Sequence, residues 1–513
     1  MTRHHPRRSL QWDSLDPGGR MNDETILWFD FETFGSLPRP WDGGRSGPYP
    51  RRDRPSQFGG IRTNHDLEVI GDPIEFHCRA SVEEPPSIGA CLVTGITPQD
   101  TAEGLEESSF IESVLEVLSV PGTTSTGWNS IGYDDEIVRF AAWRNLLPPY
   151  EREFKRDNAR FDLLAAFRFA WATGRRDGIE WPTYEDGAVS LSLGDLAAAN
   201  GIEDHAAAAH DALADVRATI ELARLLRNAQ PKLWNYAFGL RRKREVAKVV
   251  DKDASPFLLC DRGIGAARGH ATIAVTIDRL DTNGRLVLDL HGDPAEILEL
   301  EPRQLHARFH RLEPDLPRVP IRRVRTNKLP MVTTPKVLDT TSDGWQGIDL
   351  DPALVESRMT FVRENHARIR ERLRLVADEP PEAETIDPEE LLYSGFPSEG
   401  DARAMQAARK GGPEALRRFV RTAEDERLSQ LAFRHLARVH PESLEADEKA
   451  QWALHLRDRL LGPGGDGRPR LQESLEAVEA ARRDGADARI LDDVEAWTRG
   501  MAEALGVEPP ATT

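Results

Sequence analysis

Apolar and polar positions alternate in short blocks over the first 230 residues. Residues 26–35, Ile-Leu-Trp-Phe-Asp-Phe-Glu-Thr-Phe-Gly, form an apolar run with two acids near its end. That pattern predicts a strand, closed by a turn at Gly35. Strands are also predicted at 57–64 and 67–78, joined by the turn Asn64-His65-Asp66, and at 123–128. Residues 101–118 have helical spacing, with Phe110, Val114 and Leu118 on one face. Further helices are expected at 135–146, whose first turn is acidic as the helix dipole favours, and at 160–172. The last, at 212–228, has Asp211 as its N-cap and an apolar face of Leu213, Val216, Ile220 and Ala223. Strands mixed with helices in this order predict an α/β domain.

Near Gln230-Pro231 the character changes. Arg241, Arg242, Lys243 and Arg244 form a basic cluster. Residues 271–278, then Asn283-Gly284, then 285–290 carry a hairpin signal. Residues 317–334 are extended and basic, with Arg318, Arg322, Arg323, Arg325 and Lys328. From Pro352 onward the pattern is almost all helical, with turns at Pro380-Pro381, Gly411-Gly412 and 462–467. Residues 39–54, rich in Pro, Gly and Arg, are expected to be an irregular loop, and 380–387, acidic and Pro-rich, a linker. The chain therefore divides into a disordered arm at 1–21, an α/β domain at 22–229, a β-rich domain at 230–379 and a helical domain at 388–506. Internal repeats are absent.

Composition changes this picture little. A length of 513 residues suits two to four domains, at ~150 residues each. The net charge of −19 argues against an open basic surface that coats duplex DNA, though not against a narrow channel for one strand. The many acids are expected on solvated helix faces. Cys78, Cys91 and Cys260 are far apart and form no C-x₂-C pair, which opposes a disulfide framework and a zinc site and fits a reducing compartment. There is no apolar run of ~18 residues, so no transmembrane helix is expected. The first 19 residues lack the apolar core of a secretory signal, and Met21 offers an alternative start.

The candidate chemistry begins with Asp30 and Glu32. Successive strand side chains alternate faces, so these two acids project to the same side and repel unless a cation lies between them. Carboxylate oxygens suit Mg²⁺ and Mn²⁺. Taken alone, the triplet reads equally well as a buried strand whose acids reach solvent. Two distant stretches add further candidates: Gly127-Trp128-Asn129-Ser130-Ile131-Gly132-Tyr133-Asp134-Asp135-Glu136 and His210-Asp211-Ala212-Leu213-Ala214-Asp215. Asp211 and Asp215 stand one helical turn apart at a helix entrance. Either Asp134 or Asp135 can cap the helix that follows.

The ordered set, D-x-E, then an Asp after an Asn-containing turn, then H-x₄-D, resembles the DEDDh 3′→5′ exonuclease superfamily. The stretches DFETFG, QFGGIRTN, VTGITPQD, YDDE, NGIE, HDALADVRATI, NKLPMVT and LYSGFPSEGDARAM together resemble the bacterial exodeoxyribonuclease I family, over roughly residues 26–504. The resemblance implies an RNase H-like exonuclease domain with a mixed sheet, an SH3-like domain and an α-helical C-terminal domain. It implies two Mg²⁺ ions (Mn²⁺ as the alternative), held by Asp30, Glu32, Asp134 and Asp215, with Asp135 left as the cap and His210 as general base. It implies hydrolysis of single-stranded DNA from the 3′ end to 5′-mononucleotides, in DNA repair and recombination.

For the strand itself, Glu32, Thr33, Phe34, Arg139, Tyr150, Phe154 and Arg168 are the candidate contacts, each with an ordinary structural role as its alternative. Ser192 stands where the family has a basic residue, with Arg175 or Arg176 as substitutes. The acidic tail of single-stranded DNA-binding protein is an implied partner, met by Tyr236 and the basic stretch from Arg318 to Lys328. No membrane association is expected, and the working expectation is a cytoplasmic monomer. Two competing readings are a catalytically weak single-strand-binding scaffold and a related exonuclease acting on RNA. The full catalytic set opposes the first, and the long second and third regions oppose the second.

Overall fold

The strand that carries the two acids is the middle of a five-stranded mixed sheet. In this computed structural model the described residues are 24–35, 49–202, 211–252, 254–313, 315–341, 343–376, 387–463 and 468–508. The expected arm, most of the Arg-rich loop, most of the 380–387 linker and His210 lie outside them. In chain order the sheet is built from β1 (Thr25–Thr33), β2 (Pro55–Thr63), β3 (Ile74–His77), β4 (Thr123–Thr126) and β5 (Ala159–Arg160). Its spatial order is β3-β2-β1-β4-β5. β1 pairs antiparallel with β2 and parallel with β4.

The helices of this domain are α1 (Ile88–Thr94), α2 (Glu107–Leu118), α3 (Asp134–Arg144), α4 (Leu163–Ala172), α5 (Leu193–Ala199) and α6 (Ala212–Ala229), and α7 (Pro231–Gly239) follows them. Alternation along β1 sends Leu27, Phe29 and Phe31 into one core with α2 and α3. Ile26 and Trp28 enter the opposite core with Val216 and Ile220 of α6. Asp30 and Glu32 continue this second face, so the acids point toward the helix that carries Asp215.

The second sheet, order β10-β6-β7-β8-β9, is antiparallel throughout. Its strands are β6 (Phe257–Cys260), β7 (Ala271–Arg279), β8 (Gly284–Asp289), β9 (Ile321–Arg325) and β10 (Met331–Thr333). The hairpin predicted at Asn283-Gly284 joins β7 to β8. A 25-residue helix, Pro352–Val376, follows, and seven-residue or longer helices dominate from Glu399 to Ala504.

Several predicted elements are shorter than their patterns. The strand expected at 67–78 forms only at Ile74–His77. Asn64 Oδ1 accepts the backbone N–H groups of Asp66 and Glu68, both at 2.9 Å, and this turn with Gly71 and Pro73 holds the chain off the ladder. The helix expected from 101 starts at Glu107, because residues 97–104 close on themselves through Thr97 and Asp100. The helix expected from 160 starts at Leu163, where Asp162 caps it by accepting the Ala165 N–H at 3.2 Å. Asp135 is not a cap: no side chain caps α3, and Asp135 is buried against Arg152 and Arg160, the latter at 2.7 Å.

Candidate active site

The close approach of α6 to the sheet is made at Gly59 on β2. A Cβ there would meet the backbone of Ala212 and Leu213 at 2.7 Å, so only glycine lets the helix entrance lie flush on the strand. Asp211 caps α6 by accepting the Ala214 N–H at 3.0 Å. One turn on, Asp215 reaches the β1 acids. Carboxylate oxygens of Asp30, Glu32 and Asp215 all lie within 4.8 Å of one another. Asp134, at the first turn of α3, accepts the Phe31 N–H at 3.1 Å and is buried beside them.

Burial together with like charge gives this cluster its electrostatics. Desolvation, then the charges of Asp215, Asp134 and Asp211, push the Glu32 carboxyl up to about 9. Burial and the same neighbours hold Asp30 well above the usual carboxylate range. Asp134 is raised as well, chiefly by burial. Asp135 goes the other way despite equal burial, because Arg152 and Arg160 face it. An all-oxygen donor set that resists ionisation by itself fits a hard divalent cation. The residues present therefore suit the metal dependence of such a site.

The expected DNA contacts separate into two groups. Thr33 is buried, its Oγ1 3.0 Å from the Tyr133 hydroxyl. The Phe34 ring is not a base platform: it is packed with Cys91, Val478, Ile490 and Val494 at the seam with the C-terminal helices. Arg139 is likewise taken up internally, by Glu153 at 2.7 Å and Glu136 at 2.6 Å, and is 4% exposed. Phe154, by contrast, is 64% exposed. Tyr150 is half-buried, with the Arg139 guanidinium over its ring. Arg168, on α4, is half-buried. Ser192 caps α5 by accepting the Asp195 N–H at 3.1 Å, Arg176 is held on the Trp171 ring and by Asp343, and Arg175 donates to Thr340 Oγ1 at 2.8 Å.

Sequence reasoning missed the aromatic residues of LYSGFPSEG as a surface. Phe396 is 86% exposed, with its ring centroid 5.9 Å from that of Tyr150, and Tyr393 lies edge-on to Phe140. The Arg51 guanidinium lies over the Tyr393 ring. The signal was a pair of aromatics among turn residues, in a region otherwise patterned as helix. The basic stretch before β10 is also less free than it looked. Arg322 pairs with Asp289 at 2.7 Å and Lys328 with Glu136 at 2.9 Å, while Arg325 is 3.5 Å from Asp281. Tyr236 donates to the Val332 carbonyl at 2.9 Å and remains 41% exposed.

A mixed sheet with four acids gathered at the end of its central strand defines a class, that of the carboxylate-site exonucleases, which are phosphodiester hydrolases. The family model described as "Exonuclease" matches residues 27–223. Those for the exonuclease I SH3-like domain and the exonuclease I C-terminal domain match 241–378 and 386–501. Exodeoxyribonuclease I of Escherichia coli (strain K12) is 34% identical over 449 residues, spanning 85% of this chain and 91% of that protein. The crystal structure of E. coli exonuclease I in complex with a dA16 oligonucleotide superposes with a TM-score of 0.83 at 31% identity, covering 94% of this chain and all of that one. A structure of SSB and exonuclease I in complex with the inhibitor CFAM superposes with a TM-score of 0.82 at 30% identity, again covering 94% of this chain and 100% of that one. The chain belongs to the exodeoxyribonuclease I family.

Proposed function

We propose that this protein degrades single-stranded DNA from the 3′ end, releasing 5′-mononucleotides, with Asp30, Glu32, Asp134, Asp215 and His210 as its catalytic set. The observation that carries the reading is the approach of the Asp30, Glu32 and Asp215 carboxylates to within 4.8 Å on one sheet face. Two Mg²⁺ ions, when bound, supply Lewis-acid stabilisation of the attacking and leaving oxygens. Asp30, Glu32, Asp134 and Asp215 would hold these ions, which would activate the attacking water. His210 takes the proton of that water, a role suited to an imidazole at neutral pH. Asp134 also anchors the end of β1 through the Phe31 N–H, which keeps Asp30 and Glu32 in register with α6.

Single strands are held by stacking and by basic groups on phosphates. Thr33 and Glu32 meet the 3′-terminal nucleotide, Arg168 a phosphate, and Tyr150, Phe154 and Phe396 the bases further back. The exposure of Phe154 and Phe396 supports this path, and the complex of the E. coli relative with dA16 supports the substrate class. SSB, present with exonuclease I in the related structure, is the protein partner. Its acidic tail is expected on the second domain, at Tyr236 and the outward charges of β9. The chain acts as a cytoplasmic monomer in DNA repair and recombination, with domain limits at 22–229, 230–379 and 388–506. Three buried free thiols support the reducing compartment. The test is digestion of 3′- and 5′-labelled single-stranded oligonucleotides with Mg²⁺ and then with EDTA. Immediate loss of the 3′ label with a shrinking 5′-labelled ladder, abolished by EDTA, is expected. Release from the 5′ end, or equal activity on blunt duplex, overturns the reading.

A further inference from the structure

Gln57 stands where β2 meets the entrance of α6. It is directly opposite Glu32 in the β1–β2 register, and Asp30 is opposite Gly59. Its side chain, 2% exposed, is satisfied at every polar position. Oε1 accepts the Ala212 N–H at 3.1 Å. Nε2 donates to Asp211 Oδ2 at 3.0 Å and to Glu75 Oε1 at 2.7 Å. The first N–H groups of a helix have no intrahelical acceptor and need one from outside. Here Asp211 serves Ala214 and a strand residue serves Ala212, so α6 is capped jointly by its own entrance and by the sheet.

We infer that Gln57 is a positioning residue for the reaction: it sets the distance between Glu32 on β1 and Asp215 on α6, and it docks Asp211, the residue next to His210 in the chain. The argument is one of geometry. An amide has both the acceptor for a helix N–H and two donors for the flanking carboxylates, which no aliphatic side chain and no carboxylate supplies. Gly59, two residues on and on the same face, brings the α6 backbone within reach of that amide. Carboxylates that bind a cation must be preorganised, since their approach is opposed by mutual repulsion. Outer partners that orient such ligands typically change metal affinity or activity by ~10–100-fold when removed. The inference rests on the functional reading above.

The experiment uses the full chain with a short single-stranded DNA, and Mn²⁺ binding followed by calorimetry without DNA. Gln57→Met keeps the volume and removes every hydrogen bond. It should lower kcat by ~10–100-fold, weaken Mn²⁺ binding, and leave KM for the oligonucleotide near wild type. Amide exchange at 212–215 in the metal-free protein should quicken while the global unfolding midpoint holds. Gln57→Glu keeps the acceptor for Ala212 but sets a carboxylate against Asp211 and Glu75, and should also be slow. Adding Asp211→Asn, which still caps the helix, and Glu75→Gln restores both bonds with donor and acceptor exchanged, and should recover Mn²⁺ affinity and most of kcat. If Gln57→Met does not fold, this reciprocal set decides. Wild-type kcat and Mn²⁺ affinity in Gln57→Met, or no recovery in the triple variant, overturns the inference. Failure of the functional reading is distinct: wild type itself digests no single-stranded DNA, while Mn²⁺ binding and amide exchange still judge Gln57.

Discussion

Two buried carboxylate clusters in this protein have opposite electrostatics. In the acidic site, the charged neighbours that act on Glu32 are Asp215, Asp134 and Asp211, and its carboxyl is pushed up to about 9. At the seam between the exonuclease domain and the C-terminal helices, arginines stand between the acids. Arg54 reaches Glu84 at 2.6 Å, Glu389 at 2.9 Å and Glu107 at 3.1 Å. Arg468 reaches Glu84 and Asp387, both at 2.8 Å, and Arg438 pairs with Glu83 and Glu389. There the arginines hold Glu84 down to about 2 and Glu389 well below the usual range, although burial alone would raise both. Residue type and burial are shared; only what stands opposite differs. The seam cluster is complete and joins domains, whereas the site cluster is built to receive positive charge from outside.

The sharpest way to break this comparison is to neutralise one acid in each cluster. Asp30→Asn or Asp215→Asn should bring turnover to background in a labelled-oligonucleotide assay. The metal-free melting temperature should hold or rise, since a like charge is removed. Glu389→Gln should do the reverse. It takes one buried carboxylate partner from each of Arg54 and Arg438, and breaking a buried pair typically costs ~3–5 kcal/mol, to be read by urea unfolding, while turnover per folded molecule persists. Near-normal turnover in Asp30→Asn, or an unaffected midpoint in Glu389→Gln, contradicts the contrast.

Smaller changes sharpen it. Gly59→Ala places a methyl against the α6 backbone, an overpacking that typically costs ~1–3 kcal/mol. Because α6 carries Asp215, its activity should fall by more than its stability predicts, measured as turnover against folded fraction. Phe396→Ala and Phe154→Ala touch neither cluster. Each should weaken single-strand affinity by ~1–3 kcal/mol, the usual worth of a stacked base, with the melting temperature unchanged. Fluorescence anisotropy with a labelled oligonucleotide in EDTA reads this directly.

What could be read from the sequence follows from range. Asp30 and Glu32 were legible because a strand's period of two puts them on one face, and Asp215 because it falls one turn into a capped helix. That Asp135 is an ion-pair partner and not a cap is not legible locally. Arg152 and Arg160 meet it from 17 and 25 residues away. The internal partners of Phe34 and Arg139, Val478 and Ile490 for the ring and Glu153 for the guanidinium, leave no mark on the local pattern. The acids expected on solvated faces include Glu83, Glu84 and Glu389, whose burial depends on arginines up to 384 residues distant. Long-range charge pairing has no period, so it is invisible to any window.

The most direct test of the contrast is the melting temperature of the wild-type protein from pH 3 to pH 9, with EDTA and with Mg²⁺. A carboxyl raised in the folded state contributes stability that is complete below its unfolded value and is lost as pH rises through the folded one. For Glu32 that window runs from 4.5 to about 9. A carboxyl lowered in the folded state contributes stability above its unfolded value that is lost as pH falls, and for Glu84 that window runs from 4.5 down to about 2. The EDTA curve should therefore fall on both sides, on the acid side from the seam and on the alkaline side from the site. Mg²⁺ should lift the alkaline limb and leave the acid limb in place. A flat alkaline limb in EDTA, or one that Mg²⁺ does not raise, would contradict the claim that the site is an acid cluster awaiting a cation.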